Sequence, residues 1–70
     1  MPKIRNEIRR LRFENGEMTQ QQLAEKISVT RQTVNAIEQG KYSPSLEAAF
    51  RIAAVFGKPL ESVFHYTDEV

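Results

Sequence analysis

Apolar residues recur along this 70-residue chain at intervals of three and four positions, which is the spacing of one buried face of an α-helix. Three of these apolar stretches end at a glycine, namely Gly16, Gly40 and Gly57. Glycine readily adopts the left-handed conformation that follows the last turn of many helices. The pattern therefore divides the chain into helical blocks and predicts an all-α domain.

The first two helices are predicted from the residues that cap them. Asn6 is the expected N-cap of a helix over about residues 7 to 15. Thr19 and Gln22 have the spacing of a capping box, in which each side chain accepts a hydrogen bond from the backbone amide of the other residue. They predict a second helix over about residues 20 to 27.

The rest of the chain predicts three further helices. Thr30 is the expected N-cap of a helix over about residues 31 to 38, only three residues after the second helix. The next helix, over about residues 46 to 56, carries the widest apolar stripe and is expected to be the most buried. Its stripe consists of Leu46, Ala49, Phe50, Ala53 and Phe56. A last short helix is expected to start at Pro59, a residue suited to the first helical position.

Composition indicates one small folded domain that spans residues 1 to 70. The chain is 40% hydrophobic and 27% charged and has no cysteine, so packing alone must stabilise it. No stretch approaches the ~18 apolar residues of a membrane span, and no segment resembles a signal peptide. We therefore expect a soluble cytoplasmic protein.

The distribution of charge leaves two interpretations open. Five of the ten Lys and Arg residues lie within the first twelve positions, although the formal net charge is only +1. The basic start is either a patch that binds nucleic acid or simply the solvated face of the first helix. The isoelectric point lies below the value of about 9 that marks nucleic-acid-binding domains, so charge alone does not decide the function.

Residues for catalysis are few. The chain has one histidine, no cysteine and no glycine-rich phosphate loop. His65 lies between Phe64 and Tyr66, and we interpret it as a partly exposed packing residue rather than a general base or a metal ligand. We expect no enzymatic activity, no cofactor and no bound metal.

The second and third predicted helices form a helix-turn-helix over about residues 20 to 38. At about 100° per residue, Val34 and Ile37 mark the buried direction of the later helix, and Gln32 points directly away from it. Gln32 is flanked by Asn35 and Ala36, with Arg31 and Thr33 at the edges of the exposed face. Arg, Gln and Asn are the side chains that reach guanine and adenine edges bidentately in a DNA major groove.

Glu38 lies at the boundary of the buried face of the same helix, where a carboxylate needs a partner. Arg12, on the first predicted helix, is the best placed cation. We therefore predict a structural pair between Arg12 and Glu38 that ties the first helix to the end of the third.

Four segments carry a further pattern: Thr19 to Ile27, Val29 to Val34, Ile37 to Lys41, and Pro44 to Leu46. Together they resemble the Xre/Cro/cI repressor family, over about residues 4 to 64, and most of all its very short stand-alone members such as the cytolysin-operon repressor. The resemblance implies a compact five-helix domain of the lambda-repressor type that forms homodimers. It also implies a short two-stranded antiparallel ribbon made by the two chain ends.

The resemblance further implies which residues contact DNA. The groove-facing positions are Thr30, Arg31, Gln32 and Asn35. The positions expected to hold the phosphate backbone are Thr19, Gln20, Lys41, Tyr42 and Ser43. Two positions depart from the family. Ser28 replaces the usual turn glycine, and a left-handed residue other than glycine costs roughly 1–2 kcal/mol. Ala36 has no hydrogen-bonding group, so fewer bases are expected to be recognised.

Our leading hypothesis is a homodimeric, nucleoid-associated repressor that occupies a near-palindromic operator in double-stranded DNA, with no small-molecule ligand evident from the sequence. The expected dimer interface consists of Leu60, Val63, Phe64 and Tyr66. The alternative for these four residues is that they only cap the core of their own monomer. Two other functions remain open: an antitoxin-like or bridging protein that mainly binds another protein, and a structural helical bundle with no nucleic-acid partner.

Overall fold

In the computed structural model, residues 3–67 are described, and this part of the chain forms five helices and two strands. In chain order they are β1 (Lys3–Asn6), α1 (Ile8–Glu14), α2 (Gln20–Ile27), α3 (Arg31–Glu38), α4 (Leu46–Phe56), α5 (Leu60–Val63) and β2 (Phe64–Thr67). The sequence predicted α2, α3 and α4 with these bounds. The structure therefore confirms a mainly helical five-helix fold.

The two strands form an antiparallel ribbon, as the resemblance implied. Ile4 pairs with Tyr66 and Asn6 pairs with Phe64. The ribbon is anchored to the helices at its inner end, because the side chain of Asn6 donates a hydrogen bond to the carbonyl of Ile37 over 2.9 Å. The ends of the described chain are thus fastened to each other and to the end of α3.

Side-chain caps begin three of the helices, and two of them, Thr19 and Thr30, are predicted from the sequence. The hydroxyls of Thr19, Thr30 and Ser45 each accept the backbone amide three positions later, at 3.0 to 3.1 Å. The side chain of Gln22 also accepts the amide of Thr19 at 2.8 Å, which completes the predicted capping box. Each such cap stabilises its helix by about 1 kcal/mol.

The prediction that Asn6 is the N-cap of α1 was wrong. Asn6 is the last residue of β1, so the helix starts one residue later and its N-cap is Glu7. The side chain of Asn6 nevertheless accepts the amide of Ile8 at 3.2 Å. Because Asn6 belongs to the ribbon, the N-cap lies one position later than predicted, although the side chain of Asn6 still accepts a hydrogen bond from the first turn of α1.

Helix α2 ends at a residue with left-handed backbone dihedrals. Ser28 has φ 62° and ψ 44°, where an L side chain is strained and glycine is favoured. The prediction of a left-handed serine in the turn is thus confirmed. Glu17 adopts a similar conformation with φ 57°, which its sequence neighbourhood did not indicate.

The core is formed by apolar side chains from all five helices. Its most enclosed members are Ile8, Leu11, Leu23, Ile27, Val34, Ile37, Ile52 and Val63. The predicted stripe of α4 was partly wrong, since Leu46 and Phe50 are 70% and 55% exposed, whereas Ile52 is buried. The buried face of α4 is the row that meets α2 and α5, and Leu46 and Phe50 lie one above the other outside it.

Candidate nucleic-acid interface

Helices α2 and α3 pack against each other across a turn of three residues, 28 to 30. Val34 and Ile37 are almost completely buried, which fixes the rotation of α3 about its axis. Arg31 and Gln32 consequently lie on the solvent side, while Thr33, Asn35 and Ala36 are half-buried. The face of α3 that points away from the core is polar, as the helical wheel predicted.

The exposed residues at the start of α3 differ in what they contact. The hydroxyl of Thr30 is engaged in the cap and lies 3.0 Å from the hydroxyl of Thr33. The guanidinium of Arg31 reaches back to α2, where its Nη1 lies 3.5 Å from Oε1 of Gln20. Gln32 is exposed and makes no side-chain hydrogen bond within residues 3–67. Gln32 is therefore the residue of this face with both amide groups available to a ligand.

Asn35 is less available than the sequence predicted. It is half-buried, and its Oδ1 accepts from Nε2 of Gln20 at 3.1 Å and from Nε2 of Gln39 at 3.3 Å. An amide oxygen has two lone pairs, and both are used here. Among the groups of this side chain, only Nδ2 lacks a partner within residues 3–67 and remains for a ligand.

Arg12 and Glu38 meet beneath this face. Nε and Nη2 of Arg12 donate to the two carboxylate oxygens of Glu38 over 2.6 and 3.1 Å, and the two side chains are 11% and 8% exposed. Nη1 of Arg12 also donates to the carbonyl of Met18 at 2.7 Å. This bidentate pair thus joins α1, the segment before α2 and the last turn of α3, with favourable geometry for charges removed from water.

The residues expected to hold phosphate are placed in two groups. Thr19 and Gln20 lie at the start of α2, where the capping box satisfies the amides of Thr19 and Gln22 and the amide of Gln20 has no acceptor within the helix. The side chain of Gln20, however, turns toward α3, so its backbone amide rather than its carboxamide is free for an anion. Lys41, Tyr42 and Ser43 are all exposed in the loop after α3.

The predicted dimer residues are not equivalent. Val63 is 0% exposed and belongs to the core of its own protomer, so it was wrongly assigned to the interface. Leu60 and Phe64 are partly buried against the same core. Tyr66 is 73% exposed, and Ile4, its exposed partner across the ribbon, was missed because its strand register is not visible in the sequence.

Part of the basic charge near the start of the chain is neutralised locally. The guanidinium of Arg10 donates hydrogen bonds to the carboxylates of Glu14 at 3.0 Å and Glu7 at 3.2 Å, and these bonds raise the pKa of Arg10. Arg12 is paired with Glu38, and Arg9 lies over the ring of Phe13, 6.0 Å from its centroid. For Arg10 and Arg12 the structure therefore favours local pairing over a free basic patch.

The described residues form neither a cluster of metal ligands nor a membrane-spanning helix. Within residues 3–67, no three or more His, Cys, Asp or Glu residues come together in a way that could hold a metal ion. In the same range, no helix has the length and apolar character needed to cross a membrane. The two packed helices and the polar outer face of α3 define a helix-turn-helix domain.

Comparison with known proteins identifies the family. A helix-turn-helix family model matches residues 8–63. A protein of Methanocaldococcus jannaschii, named as an uncharacterized HTH-type transcriptional regulator, is 54% identical over 52 residues, covering 74% of this chain and 79% of that protein. A protein of Archaeoglobus fulgidus with the same description is 46% identical over 66 residues, which are 94% of this chain and 93% of that protein. The HTH-type regulator YgzD of Bacillus subtilis is 42% identical over 66 residues, which are 94% and 98% of the two chains.

This chain belongs to the helix-turn-helix family of DNA-binding transcriptional regulators. The family model ends at Val63, and two of these three relatives extend over nearly the whole chain. The resemblance noted in the sequence is therefore confirmed at the level of the family.

Proposed function

We propose that this protein represses transcription by occupying a near-palindromic operator as a homodimer. The single observation that carries the proposal is the outer face of α3, where Gln32 and Arg31 are exposed on a helix whose opposite face is locked into the core. Helix-turn-helix domains insert such a face into the DNA major groove. A protein bound there excludes other proteins from the same DNA.

In this proposal the two sides of the interface have different roles. Arg31 and Gln32 read base edges, with Thr30 and Asn35 beside them. The start of α2 and the exposed loop of Lys41, Tyr42 and Ser43 hold the phosphate backbone, which positions the domain without reading sequence. The exposed amides at the start of α2 suit phosphate because a helix N-terminus carries partial positive charge.

The homodimer is proposed because one small module has little surface for tight specific binding, and two-fold operators match two-fold proteins. The exposed apolar side chains of Ile4 and Tyr66 on the ribbon supply a surface for it, together with the outer parts of Leu60 and Phe64. We also propose that the protein resides in the cytoplasm and associates with the nucleoid.

Footprinting on the DNA upstream of the protein's own gene tests this function. We expect a protected, nearly symmetric site whose affinity falls steeply with salt, because binding releases counterions from the phosphates. Transcription from the same DNA should fall when the site is occupied. Absence of any protected site, combined with co-purification of another protein, would instead support the antitoxin-like or bridging function.

A further inference from the structure

A chain of side-chain hydrogen bonds leads from the buried ion pair to the outer face of α3. Its members are Arg12, Glu38, Gln20, Asn35, Gln39 and Arg31. Gln20 is the branch point, because its Nε2 donates to Glu38 Oε1 at 3.3 Å and to Asn35 Oδ1 at 3.1 Å. Its Oε1 faces Nη1 of Arg31 at 3.5 Å.

Two neighbours, Glu38 and Arg31, determine the orientation of the Gln20 carboxamide. Both oxygens of Glu38 accept from Arg12, so Glu38 presents only an acceptor to Gln20. A guanidinium has donors and no acceptor, so Arg31 presents only a donor. A single orientation of the amide satisfies both neighbours, with nitrogen toward Glu38 and oxygen toward Arg31.

The orientation of Asn35 follows from that of Gln20. The second N–H of Gln20 points at Asn35, which must therefore offer its oxygen. The amide nitrogen of Gln39 occupies the other lone pair of that oxygen. A reversed Asn35 would place the N–H groups of Asn35 and Gln20 against each other, so Nδ2 of Asn35 is the group that has no partner among the described residues.

We infer that Glu38 and Gln20 act as positioning residues that make Asn35 a hydrogen-bond donor only, so that Asn35 selects bases presenting acceptors in the major groove. This inference rests on the proposed function, since it assumes that α3 enters the groove. A donor-only Asn35 would prefer different bases from those that an unrestrained asparagine recognises. A free asparagine reads adenine by donating to N7 and accepting from N6, whereas a donor-only asparagine cannot accept from N6.

The bases that fit are those with acceptors on the major-groove edge. Guanine offers O6 and N7, and thymine offers O4. Cytosine presents an amino group and is disfavoured, and adenine loses one of its two bonds. The buried ion pair thus influences sequence selection without touching DNA.

Selection of operators from a randomised library tests the inference. The base position read by Asn35 is the one whose preference disappears in Asn35→Ala. At that position the parent protein should prefer guanine or thymine. Gln20→Met removes the constraint that the buried network places on Asn35, and the exposed amide of Gln39 can reverse together with Asn35. The affinity for adenine relative to guanine should therefore rise by roughly fivefold or more, which is the lower end of the discrimination given by one bidentate contact.

Gln21→Met is the matched control, because Gln21 is exposed on the same helix and, within residues 3–67, its side chain bonds only Glu25 one turn later. It should leave the base preference unchanged. A change in overall affinity alone would reflect a structural effect of either variant, whereas the ratio between bases reports on Asn35. A parent that prefers adenine at this position, or a Gln20→Met variant with the parental preference, overturns the inference.

A second measurement uses the free protein and is independent of DNA. In isotope-labelled protein, NMR couplings across the hydrogen bond should connect the side-chain nitrogen Nε2 of Gln20 with the side-chain carbonyl carbon Cγ of Asn35. A coupling from the side-chain nitrogen of Asn35 to the carbonyl carbon of Gln20 would show the reverse orientation and refute the inference. If the protein binds no DNA, the proposed function fails, while these couplings still decide the orientation of Asn35.

Discussion

Residues that read bases and residues that hold phosphate can be distinguished by substitution. The loss of affinity depends on the DNA sequence for the first group and is the same on any DNA for the second. Gln32 is exposed on α3 with its amide unengaged within the described chain, while Lys41 is exposed in the loop after that helix. A base contact distinguishes operator from random DNA, and a phosphate contact does not.

Gln32→Ala should therefore lose roughly 1–3 kcal/mol of binding free energy on the operator and little on random DNA. Lys41→Ala is the comparison: it should weaken binding to both DNAs alike and reduce the salt dependence of the affinity by about one unit of slope. Titrations of both variants on the two DNAs at several salt concentrations measure this. Parental operator affinity in Gln32→Ala would show that α3 does not lie in the groove as proposed.

The buried pair of Arg12 and Glu38 should show strong energetic coupling. Removal of one partner leaves a buried charge without its counterpart, which costs about 3–5 kcal/mol of folding stability, and removal of both costs less than the sum. Urea unfolding of Arg12→Met, Glu38→Gln and the double variant forms the required cycle.

The exposed pair of Arg51 and Glu47, 2.7 Å apart on α4, is the control for that cycle. Solvent screens this pair, so its coupling should be only about 0.3–0.5 kcal/mol. If the effects of Arg12→Met and Glu38→Gln simply add, the two buried residues do not interact as the structure shows.

At the level of elements, the turn after α2 contains removable strain. Ser28 occupies the left-handed region, where glycine has no steric penalty. Ser28→Gly should raise the free energy of unfolding by about 0.5–1 kcal/mol after the greater flexibility of unfolded glycine is subtracted. Urea unfolding measures the gain.

Ser62→Gly provides the control for Ser28→Gly, because the same chemical change is made within the short helix α5. There the substitution should lower stability by a similar amount, since glycine is unfavourable inside a helix. Destabilisation by both changes would show that Ser28 is not strained.

Local patterns predicted the elements well where the signal lies within a few residues. The caps at Thr19 and Thr30 and the rotation of α3 follow from spacing alone. The exposed Leu46 and Phe50 could not be predicted, because they continue an apolar stripe and only the neighbouring helices decide which part of it is covered.

Similar reasons limit the prediction of the site. The helical wheel placed Gln32 outward, and the position of Glu38 at the edge of the buried face indicated a partner for it. The engagement of Asn35 by Gln20 and Gln39 depends on side-chain positions in two helices. No spacing rule within one helix contains that information.

At the scale of the whole molecule, the ribbon is the surface on which the proposed dimer depends. Tyr66→Glu places a charge on an exposed position, so the monomer should stay folded with little change in stability. The charge should nevertheless prevent association through an apolar contact. Sedimentation at micromolar concentration should show a monomer, and operator affinity should fall.

Phe50→Glu is the control for Tyr66→Glu, since Phe50 is also an exposed aromatic residue but lies on α4, away from the ribbon. It should sediment as the parent does. A parent protein that is monomeric both free and on a full operator would end the dimer hypothesis, whatever the behaviour of the variants.

The pairing of β1 with β2 also has a consequence for the order in which the protein is made. The ribosome releases β1 first, and this strand has no partner until β2 has been synthesised. The contacts between α2 and α3 join residues close in sequence and can form earlier, because such contacts form fastest. The hydrogen bond from the Glu7 amide to the Val63 carbonyl likewise has to wait until Val63 has been synthesised, after the residues of α2 and α3. In the nascent chain, the contacts between α2 and α3 that shape the proposed DNA-binding surface can thus form before the ribbon on which the proposed dimer depends.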